Sequence, residues 1–479
     1  MIRRPPRSTP SNSSAASDVY KRQVFPTADS DAVLVIPRQG DWYPRENIYA
    51  LGEGICDTLD DNSWNIHVWG NRDFLYILEC NFDPLLGSIT TVDLGRAGAP
   101  YYGRDLADID PIEDYPAITA VDPVMCEAGV QRITLTGNNF SPVIEENSVS
   151  FYDTQSGAVF EEAEITSASQ TEIVIRRPVA AGDSIGIRIE VVVNERVLIA
   201  EYEPYRIDPV MEPYGDFYND KRLAAIAIDQ DENLYVCQYS GEIYMIQPDG
   251  TKYTISEISD TVYDMKIGPD GDLMIITRAR YISRMHVMTG IIDEWISLPD
   301  RVVCGDYDEN GNLYVGGRRS DLLVIHPDLS IEETDLYPRE EIIDIRIFDQ
   351  FIYLLAEVDD ILGIWRHEIL DNSGSLGDRE LVLDWSLTGE FTDSDPACFT
   401  FASAGTIYIG TDHEDPILIL NPDFGSIDIL YKNIIPDEVA DLVWGNGNYL
   451  YMIQTLYEEN LFKIDMGEAG APYYGRGLQ

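Results

Sequence analysis

Three aspartates recur at one position of a repeated strand pattern in the C-terminal half of the chain. Aligned on that pattern, the position reads Ala225, Asp264, Cys304, Asp344, Cys398 and Asp441. If these strands face a common axis, three carboxylates converge, and they repel unless protonated or bridged by a cation. Asp264, Asp344 and Asp441 are therefore candidate metal ligands, with calcium the cation considered and no other cofactor expected. The competing reading has each aspartate accept local backbone N–H groups, with its side chain far from the other two.

Other reactive groupings are sparse. The five histidines, His67, His286, His326, His367 and His413, lie outside any G-x-S-x-G or H-E-x-x-H context. No glycine-rich phosphate loop leads from a strand into a helix. Asp306-x-Asp308-x-Asn310-Gly311 imitates the first half of an EF-hand loop, but Gly317 stands where the bidentate glutamate is required. It reads as a turn between strands, as does Asp229-x-Asp231-x-Asn233.

The candidate interaction residues are Tyr101, Tyr102 and Arg104, repeated as Tyr473, Tyr474 and Arg476. They belong to an octapeptide, AGAPYYGR, which occurs unchanged at Ala97–Arg104 and Ala469–Arg476, 372 residues apart. Tyrosine and arginine offer large amphipathic contact areas and are favoured at interface hot spots. Two roles stand side by side: contact with a neighbouring domain or partner, or cover for the base of their own domain.

The chain has 479 residues, too many for one compact domain, and its 44% hydrophobic content is ample for buried cores. Against 33 Lys+Arg stand 84 Asp+Glu, a net charge of −51. Such a surface repels nucleic acid and anionic membranes, both of which require clustered cations. It attracts cations and tolerates salty surroundings. No apolar run approaches the roughly 20 residues of a membrane span, so no insertion is expected of this segment. The six cysteines form no CxxC pair; Cys304 and Cys398 read as buried thiols, and Cys56 with Cys80 is a candidate disulfide in an exported protein.

Residues 1–23 are rich in Arg, Pro and Ser without apolar periodicity, and Arg3 and Arg4 lead into no apolar h-region. The stretch closely resembles the conceptual translation of sequencing-adapter sequence and is set aside as disordered. Before each octapeptide lies a related strand pattern: VWGNRDFLYIL (Val68–Leu78) matches VWGNGNYLYMI (Val443–Ile453). Residues 24–104 are thus expected to be the last blades and linker of an upstream domain whose complete counterpart ends near 476, and 469–479 the linker to a further unit. The sequence is read as a fragment cut from a longer array.

From 115 to 208, short alternating segments are separated by Gly, Asn and Pro turns, the pattern of a β-sandwich. The opening P-x-I-x-x-V-x-P (Pro116 to Pro123) and ITLTGNNF (Ile133 to Phe140) resemble the IPT/TIG family of immunoglobulin-like domains. That resemblance implies a spacer or interaction module without catalysis, and a turn from Gly137 that carries Phe140 into the core. The chain departs from the family's Gly-Gly pair with Ala128-Gly129.

From 215 to 468 a strand–turn–strand motif repeats six times. Its aligned residues Tyr235, Met274, Tyr314, Tyr353, Tyr408 and Tyr451 are 39, 40, 39, 55 and 43 residues apart, the long interval holding an insertion around Asp371–Thr392. Strands of this period with Asp, Asn and Gly turns predict radially arranged blades closing into a six-bladed propeller. The (D/N)-G-x-L-Y-V turn and strand is similar to NHL-type and SMP-30-like propellers.

The fold class expected is all-β: an immunoglobulin-like sandwich plus a six-bladed propeller, preceded by the partial tail of another. The function expected is that of a non-enzymatic, tandem-repeat structural or adhesive protein, extracellular or at the cell surface. It would present faces to protein or glycan partners, with self-assembly into a filament through the repeated linkers. The alternatives are a metal-dependent hydrolase or lactonase, which resemblance to SMP-30 propellers implies although its metal-binding glutamate has no counterpart here, and a sugar-binding propeller.

Overall fold

The computed structural model describes residues 115–476, apart from 194–195, 218–221, 436–437 and 455–460, and the backbone of six strands between 22 and 93. The fold is all-β; helix among the described residues is limited to single 3-10 turns. The chain divides into two compact units, residues 1–113 and 114–479.

The first unit contains two three-stranded antiparallel sheets, Arg22–Phe25/Leu34–Pro37/Tyr49–Ala50 and Trp64–Trp69/Phe74–Cys80/Gly87–Asp93. In the second, Val68 lies opposite Tyr76 and Trp69 opposite Leu75. Val443 and Trp444 meet Tyr451 and Leu450 in the same register at the end of the second unit.

The second unit opens with two four-stranded antiparallel sheets, built from residues 117–176 and 147–207, that share one core. Along Arg132–Asn138 the apolar residues alternate inward, burying Ile133 and Leu135 between threonines that face out. Gly137 then allows close approach, and Asn139, at φ +61°, turns the chain. A Cβ on Gly137 would fall 2.0 Å from the Ala117 carbonyl oxygen and 2.3 Å from the Phe140 ring. Phe140 occupies the space and is buried in the core, as expected from sequence.

Six four-stranded antiparallel sheets follow, the blades of a β-propeller. Their innermost strands are Leu223–Ile228, Val262–Ile267, Cys304–Tyr307, Glu341–Phe348, Pro396–Phe401 and Val439–Trp444, numbered here as blades 1 to 6. Second strands are buried along most or all of their length, as in Leu234–Gln238, whereas outermost strands are half-buried to exposed, as in Lys252–Glu257. Blade 6 takes its outermost strand from Met211–Pro213, which precedes blade 1, with Met211 opposite Ile464 and Pro213 opposite Phe462. The ring is thus closed by hydrogen bonds between its two chain ends, and the propeller starts before the boundary expected at 215.

The turn aspartates behave as turn formers. Asp308 accepts the N–H groups of Asn310 and Asn312, both at 2.9 Å, and the Asn312 side-chain amide at 2.7 Å. Asp229 repeats this geometry and also accepts the Tyr235 hydroxyl at 2.9 Å. The start of the insertion, between the third and fourth strands of blade 4, leans on blade 3, where the carbonyls of Asn372 and Gly374 accept from Asn312 and Tyr314 at 3.1 and 3.3 Å.

Sandwich and propeller meet at Tyr431. Its N–H donates to the Gln131 side chain at 3.0 Å, and its hydroxyl accepts from Gly129 N–H at 2.7 Å while donating to the Asp465 carbonyl at 2.8 Å. Around it, Arg132 and Arg176 reach Asp428 at 2.6 and 3.1 Å, and Lys432 reaches Glu164 at 2.9 Å. Gly129 has φ +83°, and a Cβ on it would meet the Met466 carbonyl at 2.9 Å, so the second glycine of the expected pair is held by this contact.

Candidate functional site

The inner strands share a local irregularity. The ladder register shifts immediately before Ala225, Asp264, Asp344, Cys398 and Asp441, in five of the six blades. A bulge of this kind re-aims the residue that follows it, and it falls at the same position in blade after blade.

The aspartates at that position bond both along and across the ring. Asp264 Oδ1 accepts from Met265 N–H at 2.8 Å, and Oδ2 accepts from Gly305 of blade 3 at 3.1 Å. Asp344 likewise holds Ile345 at 2.8 Å and Phe399 of blade 5 at 2.9 Å. Asp441 holds Leu442 at 2.8 Å and, across the closure, Ile226 of blade 1 at 3.2 Å. Asp306 does the same from two residues further along blade 3, holding Tyr307 at 3.0 Å and Ile347 at 2.8 Å. Each carboxylate therefore fastens its own inner strand to the next.

The counter-charges are built in. Lys266 Nζ lies 2.8 Å from Asp264, and Arg346 reaches Asp344 at 2.6 Å and Asp441 at 3.5 Å. Burial pushes Asp306, Asp344 and Asp441 up to about 6, against the opposing pull of Arg346 and Lys266. Burial and Arg346 draw Lys266 down, but Asp264, Asp441 and Asp344 more than offset them and hold its ammonium above its ordinary range. The aspartates also hold Arg346 firmly charged.

The candidate ligands Asp264, Asp344 and Asp441 thus have cationic side chains beside them. The three do converge on the channel, yet the positive charge between them belongs to Lys266 and Arg346. Among the described residues no group of three or more His, Cys, Asp or Glu side chains is arranged to hold a metal ion. The competing reading, of aspartates bound to backbone amides, describes their bonds but not their placement, since they gather rather than stand apart. Sequence reasoning missed Lys266 and Arg346, and it read Asp306 as part of a turn where the structure bonds it to Tyr307 and Ile347. For the two cations a signal existed: in Asp264-Met-Lys266 and Asp344-Ile-Arg346 the i, i+2 spacing puts acid and base on one face of a strand.

Over this cluster lies a small cavity of about 60 Å³, walled by inner-strand residues including Ile226, Lys266, Asp306, Arg346 and Thr400 and covered by Ala471, Pro472 and Tyr473. The cover is the second octapeptide. Gly470 bridges to Ala402, Ala471 N–H donates to Phe401 at 2.9 Å, and Ser403 N–H donates to Ala469 at 2.9 Å. The segment then crosses the channel mouth, and Tyr473 donates its hydroxyl to the Ile267 carbonyl of blade 2 at 3.0 Å. Tyr473 packs against the cores of blades 1 to 3 and Tyr474 against blades 3 and 4. Of the two roles proposed for the tyrosines, Tyr473 and Tyr474 take the inward one here. The Arg476 side chain lies outside the described residues, as do Tyr101, Tyr102 and Arg104.

The histidines among the described side chains serve the frame. His367 is buried between the Tyr337 hydroxyl at 2.7 Å and the Gly377 carbonyl at 2.8 Å, and burial lowers its pKa. His286 pairs with Asp272 at 2.6 Å and His413 accepts from Asp415 N–H at 3.0 Å. Cys126, Cys237, Cys304 and Cys398 are buried free thiols, which burial pushes up, to about 11 for Cys126 and about 12 for Cys237. Cys56 and the Cys80 side chain lie outside the described residues.

The chain matches no protein-family model and no curated protein. Solved structures to which it is similar include a protein of unknown function from Bacteroides thetaiotaomicron, at 11% identity over 74% of this chain and 99% of that one, TM-score 0.44. An auxiliary nutrient binding protein from Bacteroides ovatus shares 12% identity over 74% and 98% of the two chains, TM-score 0.43. A gluconolactonase from Xanthomonas campestris shares 12% over 53% and 89%, TM-score 0.43. No activity is carried from them to this chain. No helix among the described residues is long and apolar enough to cross a membrane.

Proposed function

We propose that this chain is a non-enzymatic structural or adhesive protein of the extracellular space or cell surface, in which sandwich and propeller act as one stiff module with outward faces for protein or glycan partners. The observation that carries this reading is the channel. Its four carboxylates are committed to backbone amides of adjacent blades and to Lys266 and Arg346, and its mouth is crossed by the chain's own octapeptide. Groups so committed hold blades together and are not poised to take a proton from, or donate one to, a substrate. The joint at Tyr431 supports the stiffness of the module, because bending there would leave Gly129 N–H and the Asp465 carbonyl without their partner. The acidic surface suits solubility at high local concentration. Residues 24–104 are proposed as the closing part of a second propeller, by the shared register of their last sheet.

The test uses the full chain in two arms. Lactone and ester substrates with millimolar calcium should show no turnover above background, and calorimetry should show no calcium binding that Asp264→Asn abolishes. Bead-displayed protein on protein and glycan arrays should show multivalent binding. Turnover that falls in Asp264→Asn would replace the proposal with the metal-dependent hydrolase. Binding confined to one soluble sugar would replace it with a sugar-binding propeller.

A further inference from the structure

The octapeptide that closes the channel has an unchanged twin, and its contacts give a reason for the identity. Gly470 lies against Trp444 so closely that a Cβ would stand 2.3 Å from the indole. Gly475 lies over Ile267, where a Cβ would fall 2.2 Å from the carbonyl oxygen. Ala469 and Ala471 contribute the backbone bonds to Ser403 and Phe401, Pro472 covers the cavity, Tyr473 bonds Ile267, and Tyr474 fills the edge of blades 3 and 4. Seven successive residues thus each meet a feature of the face, and at Gly470 and Gly475 there is no room for a side chain.

The twin at Ala97–Arg104 follows a sheet with the register of blade 6, in which Trp69 stands opposite Leu75 as Trp444 stands opposite Leu450. Between the two copies of that sheet most side chains differ, while the octapeptide does not. The residue before it also differs: Glu468 accepts the Tyr408 hydroxyl at 2.5 Å, and Arg96 holds the matching place in the first copy. What is held constant therefore includes the segment that crosses the channel mouth.

We propose that the mouth of this propeller is a recognition surface for the sequence AGAPYYGR as a module, and that its partner is a second copy of this chain, which supplies the segment Ala97–Arg104. The chain's own Ala469–Arg476 is tethered next to the last strand of blade 6, so its effective concentration is high and it occupies the face first. Exchange between copies follows when that segment is displaced, by the logic of domain swapping, in which an identical element is traded at little cost. This goes beyond the structural reading above and does not depend on what the outer faces bind.

The experiment removes residues 469–479 from the otherwise complete chain and adds the synthetic peptide AGAPYYGR carrying a fluorophore. Anisotropy should report saturable binding to the shortened chain. It should be at least tenfold weaker to the full chain, to peptides with the changes equivalent to Gly470→Ala or Tyr473→Ala, and with a scrambled peptide. The shortened chain should also self-associate in sedimentation equilibrium, and either free octapeptide or the changes Tyr101→Ala and Tyr102→Ala should disperse it. Should the shortened chain fail to fold, the full chain with Gly470→Ala and Tyr473→Ala loosens the segment in place and is put through the same titration. Peptide binding no stronger than that of the scrambled control in the folded protein overturns the recognition surface. Self-association that survives Tyr101→Ala and Tyr102→Ala overturns the assignment of the partner.

Discussion

Replacing Arg346 by methionine keeps the length of the side chain and removes the charge that faces Asp344 and Asp441. Both carboxylates are buried, and both titrate near 6 even with Arg346 present. At pH 7.5 the variant can hold them charged without that partner or protonate them. Protonating a group with pKa about 6 at that pH costs about 2 kcal/mol, by 1.36 kcal/mol per unit. With two carboxylates affected, and the bond from Arg346 to the Ile345 carbonyl also lost, the expected loss is about 3 kcal/mol, at the lower end of what breaking a buried pair costs. At pH 5.5 both protons are taken up almost freely, and the loss should fall to about 1 kcal/mol. For a domain of this size 1 kcal/mol corresponds to roughly 2–4 °C. Thermal unfolding followed by tryptophan fluorescence should therefore show a drop of about 6–12 °C at pH 7.5 and about a third of that at pH 5.5. A variant within about 1 kcal/mol of the parent at pH 7.5, or equally destabilised at both pH values, would refute the idea that the arginine neutralises the ring.

Three further outcomes follow from the same contacts. Because the folded pKa values of Asp306, Asp344 and Asp441 lie above the unfolded value, their stabilising contribution is complete below about 3.8 and is lost as pH rises through about 6. The parent should accordingly unfold at higher denaturant at pH 5 than at pH 7.5, and Asp306→Asn should flatten that slope; a parent more stable at pH 7.5 would contradict the assignment. Tyr431→Phe leaves Gly129 N–H and the Asp465 carbonyl without a partner and should cost about 1–3 kcal/mol. Calorimetry should then resolve sandwich and propeller as separate transitions, and an unaltered single transition would speak against the joint. Gly137→Ala places a methyl 2.0 Å from the Ala117 carbonyl and should cost at least about 2 kcal/mol by forcing the first strand of the sandwich from its register, measured as urea unfolding of that module; a cost below 0.5 kcal/mol would show that the turn yields.

Much of the fold was legible because it is written in local chemistry. The pairing of Tyr235, Tyr314, Tyr353, Tyr408 and Tyr451 with inner strands follows from a repeated strand and turn, and Asp229 and Asp308 close those turns with their own backbone neighbours. Gly137 and Phe140 likewise act within a few residues of each other. The blade-closing strand Met211–Pro213 was not legible: three residues carry no periodicity, and their partner lies some 250 positions away.

The sequence by itself determined how many blades there are, where their turns fall, and that three aspartates share one position, because each depends on alternation and spacing along a strand. Only the tertiary structure decided what those aspartates do. Closing the ring brings the carboxylates of one blade to the amides of the next, sets Lys266 and Arg346 among them, and lays the octapeptide across the mouth. Those relations join residues that no local pattern connects, and burial turns a set of like charges into a bonded ring.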